Sequence, residues 1–216
     1  MVIKLYGVKG SPPVRATLLT LEALGIEVDF KVTNILKGEQ YTQDFLEMNP
    51  LHTVPTIQDG DFVIWDSHAI NSYLVEKYGK DDSLYPKDLE ARAVVNQRMY
   101  FDNGILFPRW GAAVLLILKQ GAKTVRKDLA DSLVDAYNSL ETLLERSTYV
   151  AGEQVTIADF SIVTTLTSAN VLVPVASNRF PKISEWLVKM QALPYYASAN
   201  QVGLDQFAAV VKSKLA

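Results

Sequence analysis

Asn49-Pro50-Leu51-His52-Thr53-Val54-Pro55-Thr56-Ile57 is followed by the turn Asp59-Gly60, a second apolar run Phe62-Val63-Ile64-Trp65, and then Asp66-Ser67-His68. Two β-prone runs around an Asp-Gly pair predict a hairpin. An acid-serine pair ahead of Ile70, Tyr73, Leu74 and Tyr78 predicts a helix start. Pro55 cannot donate to a strand ladder, so it belongs at a sheet edge or just before the strand, and it presses Val54 toward extended geometry. The backbone N–H and C=O of Val54 are then expected to stand unpaired at that edge, where an extended peptide can pair with them. Asp66-Ser67 adds the positive end of a helix, whose orphan N–H groups suit a carboxylate. The stretch as a whole points to a site for a small anionic peptide. Its plainer alternatives are an edge strand that merely begins with proline and an ordinary helix cap.

Upstream, residues 2–6 alternate as a strand, and a Gly7 to Ser11 loop leads to Pro12-Pro13. The prolines open a helix with Val14, Leu18, Leu21 and Leu24 on one face and Gly25 at its end, which puts Ser11 at or beside the N-cap. Val28 to Val32 is a second strand, and strand-helix-strand predicts a parallel pair with a right-handed crossover. A polar loop from Asn34 to Gln40 and a short helix around Tyr41 to Met48 complete a β-α-β-α-β-β-α unit ending near Tyr78-Gly79. It is expected to be a mixed sheet with helices on both faces.

Gly79 to Pro86 is a turn-rich linker with no convincing strand beyond it, which places a domain boundary there and gives domains of 1–80 and 87–216. Leu89 to Lys119 reads as a long helix kinked near Gly104 or Pro108. Leu129, Leu133, Ala136, Tyr137, Leu140, Leu143 and Leu144 repeat at helical spacing. Thr156-Ile157-Ala158-Asp159 has capping-box form ahead of the apolar run Phe160 to Val173, the expected core of the second domain, so Thr156 and Asp159 are read as folding elements. Pro181 opens a further helix, Pro194 closes it, and Leu204, Phe207, Ala208 and Val211 mark the last one.

Composition narrows the function. Of 216 residues, 49% are hydrophobic and 21% charged, and the net charge of -3 leaves no basic footprint for nucleic acid or an acidic membrane. The longest apolar run, Ala112 to Leu118, falls far short of the roughly 20 residues of a membrane span, and the amino terminus is strand-like rather than a secretory signal. A cytoplasmic protein is expected. With no cysteine the chain has no thiolate for metal or for thiol-disulfide exchange, and only His52 and His68 offer imidazole. No metal site is expected, and any sulfur chemistry must come from a bound substrate.

In Ser11-Pro12-Pro13-Val14-Arg15-Ala16, Asn49 to Pro55 and Trp65-Asp66-Ser67-His68-Ala69-Ile70, the chain resembles the cytosolic glutathione transferases over essentially its whole length. Within them it is most similar to the insect epsilon class, with the delta class next. The resemblance implies an α/β plus all-α fold, with a thioredoxin-like N-terminal domain carrying a mixed four-stranded sheet and an all-helical C-terminal domain. It implies glutathione as co-substrate and an enzyme joining its thiolate to hydrophobic electrophiles. Ser11 would donate a hydrogen bond to the glutathione sulfur, acting as a donor and not as a covalent nucleophile. Val54, with Thr53 and Pro55, would hold the cysteinyl unit, Asp66 and Ser67 the γ-glutamyl end, and His52 the glycine carboxylate. Many epsilon members carry a histidine where this chain has Gln40, whose amide brings no charge, so the glycine end is expected to be held less tightly. His52 satisfying only a loop carbonyl is the plainer alternative. Physical chemistry agrees with the Ser11 role: a hydroxyl donor at a helix N-terminus stabilises a thiolate, and lowering a thiol pKa of about 8.5 by two units takes only about 2.7 kcal/mol.

The electrophile site is expected between the domains, lined by Phe107, Arg109, Trp110, Val114 and Leu118 and by Leu204 and Phe207, several of which could equally be interior core. Arg109 must reach solvent, an acid or the ligand. A protein that sequesters hydrophobic ligands with little turnover is the competing function. The resemblance also implies a homodimer, and His68, Tyr100 and Phe101 are the expected contacts, with His68 pointing away from the glutathione site toward a twofold axis.

Overall fold

The computed structural model describes residues 2–215; Met1 and Ala216, the outermost residues of the two expected domains, lie outside the described residues. Strand β1 (Ile3–Gly7) alternates buried Ile3, Leu5 and Gly7 with half-buried Lys4 and Tyr6, the period of a strand packed on both faces. Helix α1 (Pro12–Leu24) begins at its N-cap Ser11 and stops at Gly25, whose φ of 68° is the left-handed cap that glycine adopts without a Cβ penalty. Strand β2 (Val28–Val32) then runs parallel to β1, from Ile3 beside Val28 to Gly7 beside Val32. A 3-10 turn and helix α2 (Gln43–Met48) lead to strand β3 (Thr56–Asp59), which lies antiparallel to β1 and is paired with strand β4 (Phe62–Trp65). The sheet is mixed, four-stranded and ordered β2-β1-β3-β4. The hairpin tip is Gly60-Asp61, one residue later than the Asp-Gly pair suggests, because Asp59 still pairs with Phe62.

Helices cover both faces. Gly7 shows how closely α1 packs on β1: a Cβ there would fall 2.7 Å from Val14 Cγ2. Ile3, Leu5 and Ile57 share one buried cluster with Val14, Leu18 and Leu21 of α1 and with Ile70 and Leu74 of helix α3 (Ser67–Tyr78). On the opposite face Tyr6 meets Phe45 of α2 edge-on, ring centroids 6.3 Å apart. Asp59 ties α3 to the hairpin by accepting hydrogen bonds from Tyr73 and Tyr78, each 2.6 Å, and from Lys77 at 2.7 Å. Burial alone would raise this carboxyl; the bonds from Lys77, Tyr73 and Tyr78 outweigh it and lower its pKa to about 2.

The remainder is helical: α4 (Leu89–Phe101), α5 (Phe107–Gln120), α6 (Lys127–Leu144), α7 (Ile157–Leu172), α8 (Pro181–Gln191) and α9 (Val202–Leu215). Of the two positions expected for a kink, Gly104 and Pro108, the first lies in a π-helical turn, Asp102–Leu106, that joins α4 to α5. Leu89–Gln120 is thereby a helical run of 32 residues, long and apolar enough by length and composition to cross a membrane. Its apolar residues Val95, Met99, Leu106, Val114 and Ile117 are buried in the helical domain. The sequence expectation of no such element rested on continuous apolar runs, whereas here the apolar side chains are spread at helical spacing along one face.

Helix α7 is buried from Ile157 through Ala169, and its capping box is complete. Asp159 accepts from Val150 N (3.0 Å), Thr156 N (2.9 Å), Thr156 Oγ1 (3.1 Å) and Trp186 Nε1 (2.9 Å), which joins the start of α7 to α8 and to the preceding loop. The helix packs against α1 as well as α4 and α5, and so forms a common wall between the sheet domain and the helical one.

Candidate active site

Strand register brings the predicted residues together. Tyr6, near the carboxyl end of β1, pairs with Thr56, the first residue of β3, and Thr56 pairs with Trp65, the last of β4. The loop to Ser11, the segment ending at Val54-Pro55 and the helix start at Asp66-Ser67 therefore emerge at one end of the sheet. Carboxyl ends of strands and helix N-termini meeting at one edge are the usual place for a ligand in such folds.

Ser11 is half-buried at the N-cap of α1, and its hydroxyl makes no capping hydrogen bond. Its carbonyl accepts the first helical bond, from Arg15 N at 3.1 Å, and Pro12 and Pro13 offer no N–H for its side chain to cap. Val54 is half-buried just ahead of the first laddered residue, Thr56, and the Val54-Pro55 bond is cis, which the sequence had left open. Thr53 is held from behind: Asn49 Nδ2 donates to Thr53 O (3.0 Å), Thr53 Oγ1 (3.1 Å) and Thr56 Oγ1 (3.0 Å). His52 is exposed, has a φ of 47° and stacks at a tilt on Tyr41 with centroids 4.9 Å apart. Gln40 is buried, with Nε2 3.4 Å from Ile35 O and Oε1 free of any partner among the described residues.

Asp66 caps α3 by accepting from His68 N at 2.9 Å, and Ser67 behind it is buried. His68 departs from expectation. Its ring does not point out toward a partner; Nδ1 lies 3.0 Å from Asp66 Oδ1 and Nε2 3.1 Å from Asp102 Oδ2, with Asp102 in the π-helical turn between α4 and α5. Spacing along α3 alone suggests an outward ring, but a buried acid from the second domain draws it in. Burial works to lower the His68 pKa, and the hydrogen bonds to Asp102 and Asp66 overcome it and raise the value to about 9. The hydrogen bond from His68 in turn holds the Asp66 carboxyl below its ordinary range against partial burial. Asp66 is thus an ionised acid with a fixed orientation.

In the helical domain Phe107, Trp110 and Phe207 form a run of tilted rings, with centroids 5.3 Å apart for the first pair and 5.7 Å for the second. Leu118 and Leu204 are half-buried against the core, and Val114 is interior. A Cβ on Gly10 would lie 3.8 Å from Phe207 Cβ, so the loop that carries Ser11 abuts this aromatic wall. Arg109 does not join the wall: Nη1 donates to Asp135 Oδ2 and to Ser132 O, both at 2.7 Å, on α6. Of the three outlets expected for its charge, solvent, an acid or the ligand, the structure shows an acid, 26 residues away. Tyr100 is 68% exposed, whereas Phe101 is half-buried against the core.

Three anchoring residues escape a sequence reading. Asn49 gives no periodic or motif signal for its role under Thr53. Asp102, an acid beside the expected kink, was the one visible hint of a buried partner. Arg15, seen in the sequence only as part of the Ser11 to Ala16 motif, is fully buried. Among the described residues no cluster of His, Asp and Glu is placed to hold a metal ion.

A family model described as "Glutathione S-transferase, N-terminal domain" matches residues 1–76, and one described as "Glutathione S-transferase, C-terminal domain" matches residues 106–194. Glutathione S-transferase 1 of Manduca sexta is 42% identical over 217 residues, covering 100% of both chains. Among solved structures, an epsilon-class glutathione S-transferase from the housefly Musca domestica is similar with a TM-score of 0.96 and 48% identity over 98% of each chain. A glutathione transferase homologue from Drosophila mojavensis with bound glutathione has a TM-score of 0.96 and 47% identity, covering 99% of this chain and 97% of that one.

Proposed function

Because the chain belongs to the glutathione S-transferase family, we propose that this sheet end binds glutathione and that Ser11 sets up its thiolate for attack on hydrophobic electrophiles. The observation that carries the reading is the uncommitted Ser11 hydroxyl at a helix N-terminus, at the sheet end where Val54 and Asp66 also emerge. A hydroxyl donor and the positive end of α1 both favour S⁻ over S–H. The thiolate then attacks the electrophilic carbon, and the enzyme's remaining contribution is orientation and exclusion of water.

The peptide lies across the edge. Val54 pairs with the cysteinyl unit through its backbone, with Thr53 and Pro55 shaping the approach. Asp66, kept ionised by His68, faces the γ-glutamyl ammonium, and Ser67 adds a donor to the same end. His52 meets the glycine carboxylate, with the uncharged Gln40 as a weaker second contact. The electrophile packs on Phe107, Trp110 and Phe207, with Leu118 and Leu204 at the margin. Apolar walls beside a thiolate suit hydrophobic xenobiotics and other apolar electrophiles.

We also propose a cytoplasmic homodimer, divided internally at residues 80 and 87, with exposed Tyr100 as the contact rather than His68. Light scattering at micromolar concentration tests it: the wild type should run at twice the chain mass and Tyr100→Ala should loosen it. The conjugation itself is tested by initial rates with glutathione and a panel of apolar electrophiles, with product masses measured. Adducts carrying the glutathione mass are expected; saturable electrophile binding with no adduct would contradict the enzyme.

A further inference from the structure

Arg15 is fully buried, one turn into α1 from Ser11, in surroundings that do not explain its charge. Its guanidinium donates to Asn200 Oδ1, to Ser168 Oγ and, at 3.2 Å, to Thr164 O, all neutral acceptors. Nε has no partner among the described residues. The helical elements packed on α1 are α7, α3 and the π-helical turn Ala197–Gln201 that precedes α9, with β1 against it at Gly7 and the start of α9 at Gly203. From α7 Arg15 meets Thr164 and Ser168 and from the turn Asn200, while the buried polar residues of α3 are the neutral Ser67 and Asn71. The one charge-capable group acting on it is Tyr196, and burial lowers the arginine pKa to about 10 despite that group. A cation in the first turn of a helix also sits at the wrong end of the helix dipole. A buried charge is normally held by an opposite one.

The packing around it is close. Arg15 N donates to Ser11 O at 3.1 Å. Gly203, in the first turn of α9, approaches the Ser11 loop so tightly that a Cβ there would fall 2.1 Å from Lys9 O and 2.8 Å from Arg15 Cδ. Arg15 itself has no solvent-exposed surface.

We propose that Arg15 is a positioning residue for thiolate formation, its charge left without a carboxylate between α1, α7 and the turn before α9 so that the sulfur anion of glutathione at Ser11 balances it. The inference rests on the glutathione reading of the site. Arg15 does not touch the ligand. It acts through the end of α1, one turn from Ser11, where the field of a desolvated cation shifts the S–H equilibrium by about one pH unit. The S–H bond is the only one that changes, and its proton leaves to water. Asn200, Ser168 and Thr164 hold the guanidinium in place without neutralising it, which a carboxylate in any of those positions would do.

The test is ultraviolet titration of the thiolate of bound glutathione in the wild type, Arg15→Met, Arg15→Lys and Asn200→Asp, with thermal stability measured alongside. Arg15→Met should raise the bound thiol pKa by about one unit, and Arg15→Lys should restore most of the shift. Asn200→Asp separates charge from packing: a carboxylate beside the guanidinium should leave Tm equal or higher and yet raise the thiol pKa by a similar amount. It also decides the matter if Arg15→Met fails to fold. A wild type with a depressed thiol pKa that Asn200→Asp leaves untouched overturns this inference alone. A wild type whose bound thiol titrates like free glutathione overturns the thiolate reading and this inference with it.

Discussion

Asp159 and Arg15 are both fully buried in the first turn of a helix, α7 in one case and α1 in the other, and their surroundings are opposites. Asp159 is an acid at a helix N-terminus, where the dipole favours it. Four donors from three segments converge on its two oxygens. Arg15 is a cation at the same kind of end, with neutral acceptors and an idle Nε. A charge caged by its own chain on the favourable end of a helix serves the fold. A charge left uncaged on the unfavourable end, next to a free hydroxyl at a ligand edge, serves an anion that arrives from outside.

The largest effect that can break this contrast is on Asp159. Removing the carboxylate in Asp159→Ala leaves buried donors on Val150, Thr156 and Trp186 without acceptors, and should cost about 3–5 kcal/mol, on the order of 10 °C in Tm. Calorimetry measures it; a loss below about 1 kcal/mol would mean that the cage does not stabilise the fold.

His68 stands between the two cases, a histidine caged by two acids, one of which is Asp66, the proposed partner of the peptide's ammonium. Its folded pKa of about 9 lies above the ordinary 6.5. Its stabilising contribution is therefore complete below about pH 6.5 and is lost as pH rises through about 9. His68→Gln should destabilise by on the order of 2 kcal/mol at pH 6, with the Tm gap to wild type closing toward pH 10. A gap independent of pH would show that the ring is not an imidazolium held by Asp66 and Asp102.

Much of this was legible in the sequence where the cause is local. Pro12-Pro13 and Gly25 bound α1, Asp59-Gly60 mark the hairpin, and Thr156 with Asp159 mark the start of α7, because each signal and its structural consequence lie within a few residues. The position of Val54 just ahead of β3 follows from Pro55 in the same way, although β3 lies inside the sheet and not at its edge. What stayed hidden depends on partners distant in the chain. The Asn200 that holds Arg15 is 185 residues away, the Asp102 that turns His68 inward is 34, and the Asp135 that draws Arg109 away from the aromatic wall is 26. Helical spacing says which face a residue occupies and nothing about an acid waiting on another element.

Ser11 sharpens the contrast from the ligand side. An N-cap serine that caps loses about 1 kcal/mol on change to alanine, but this hydroxyl makes no capping bond. Ser11→Ala should therefore leave Tm within a degree or two of wild type while lowering kcat about ten-fold, equivalent to about 1.4 kcal/mol. Steady-state rates beside a thermal melt separate the two roles. A smaller change is expected for Asp66→Ala or His52→Ala, each raising the KM for glutathione about five-fold, on the order of 1 kcal/mol, with kcat little altered. An unchanged KM in either variant would remove that residue from the peptide site.

On the proposed reading, a helix end and an uncommitted serine hydroxyl make a thiolate from a bound thiol. Ultraviolet titration of glutathione bound to wild type and to Ser11→Ala tests it most directly. The wild-type complex should titrate about two units below the free thiol's pKa of about 8.5, with the Ser11→Ala complex at least one unit higher than wild type. Coincident titrations of the two complexes, or a wild-type value equal to that of free glutathione, would contradict it.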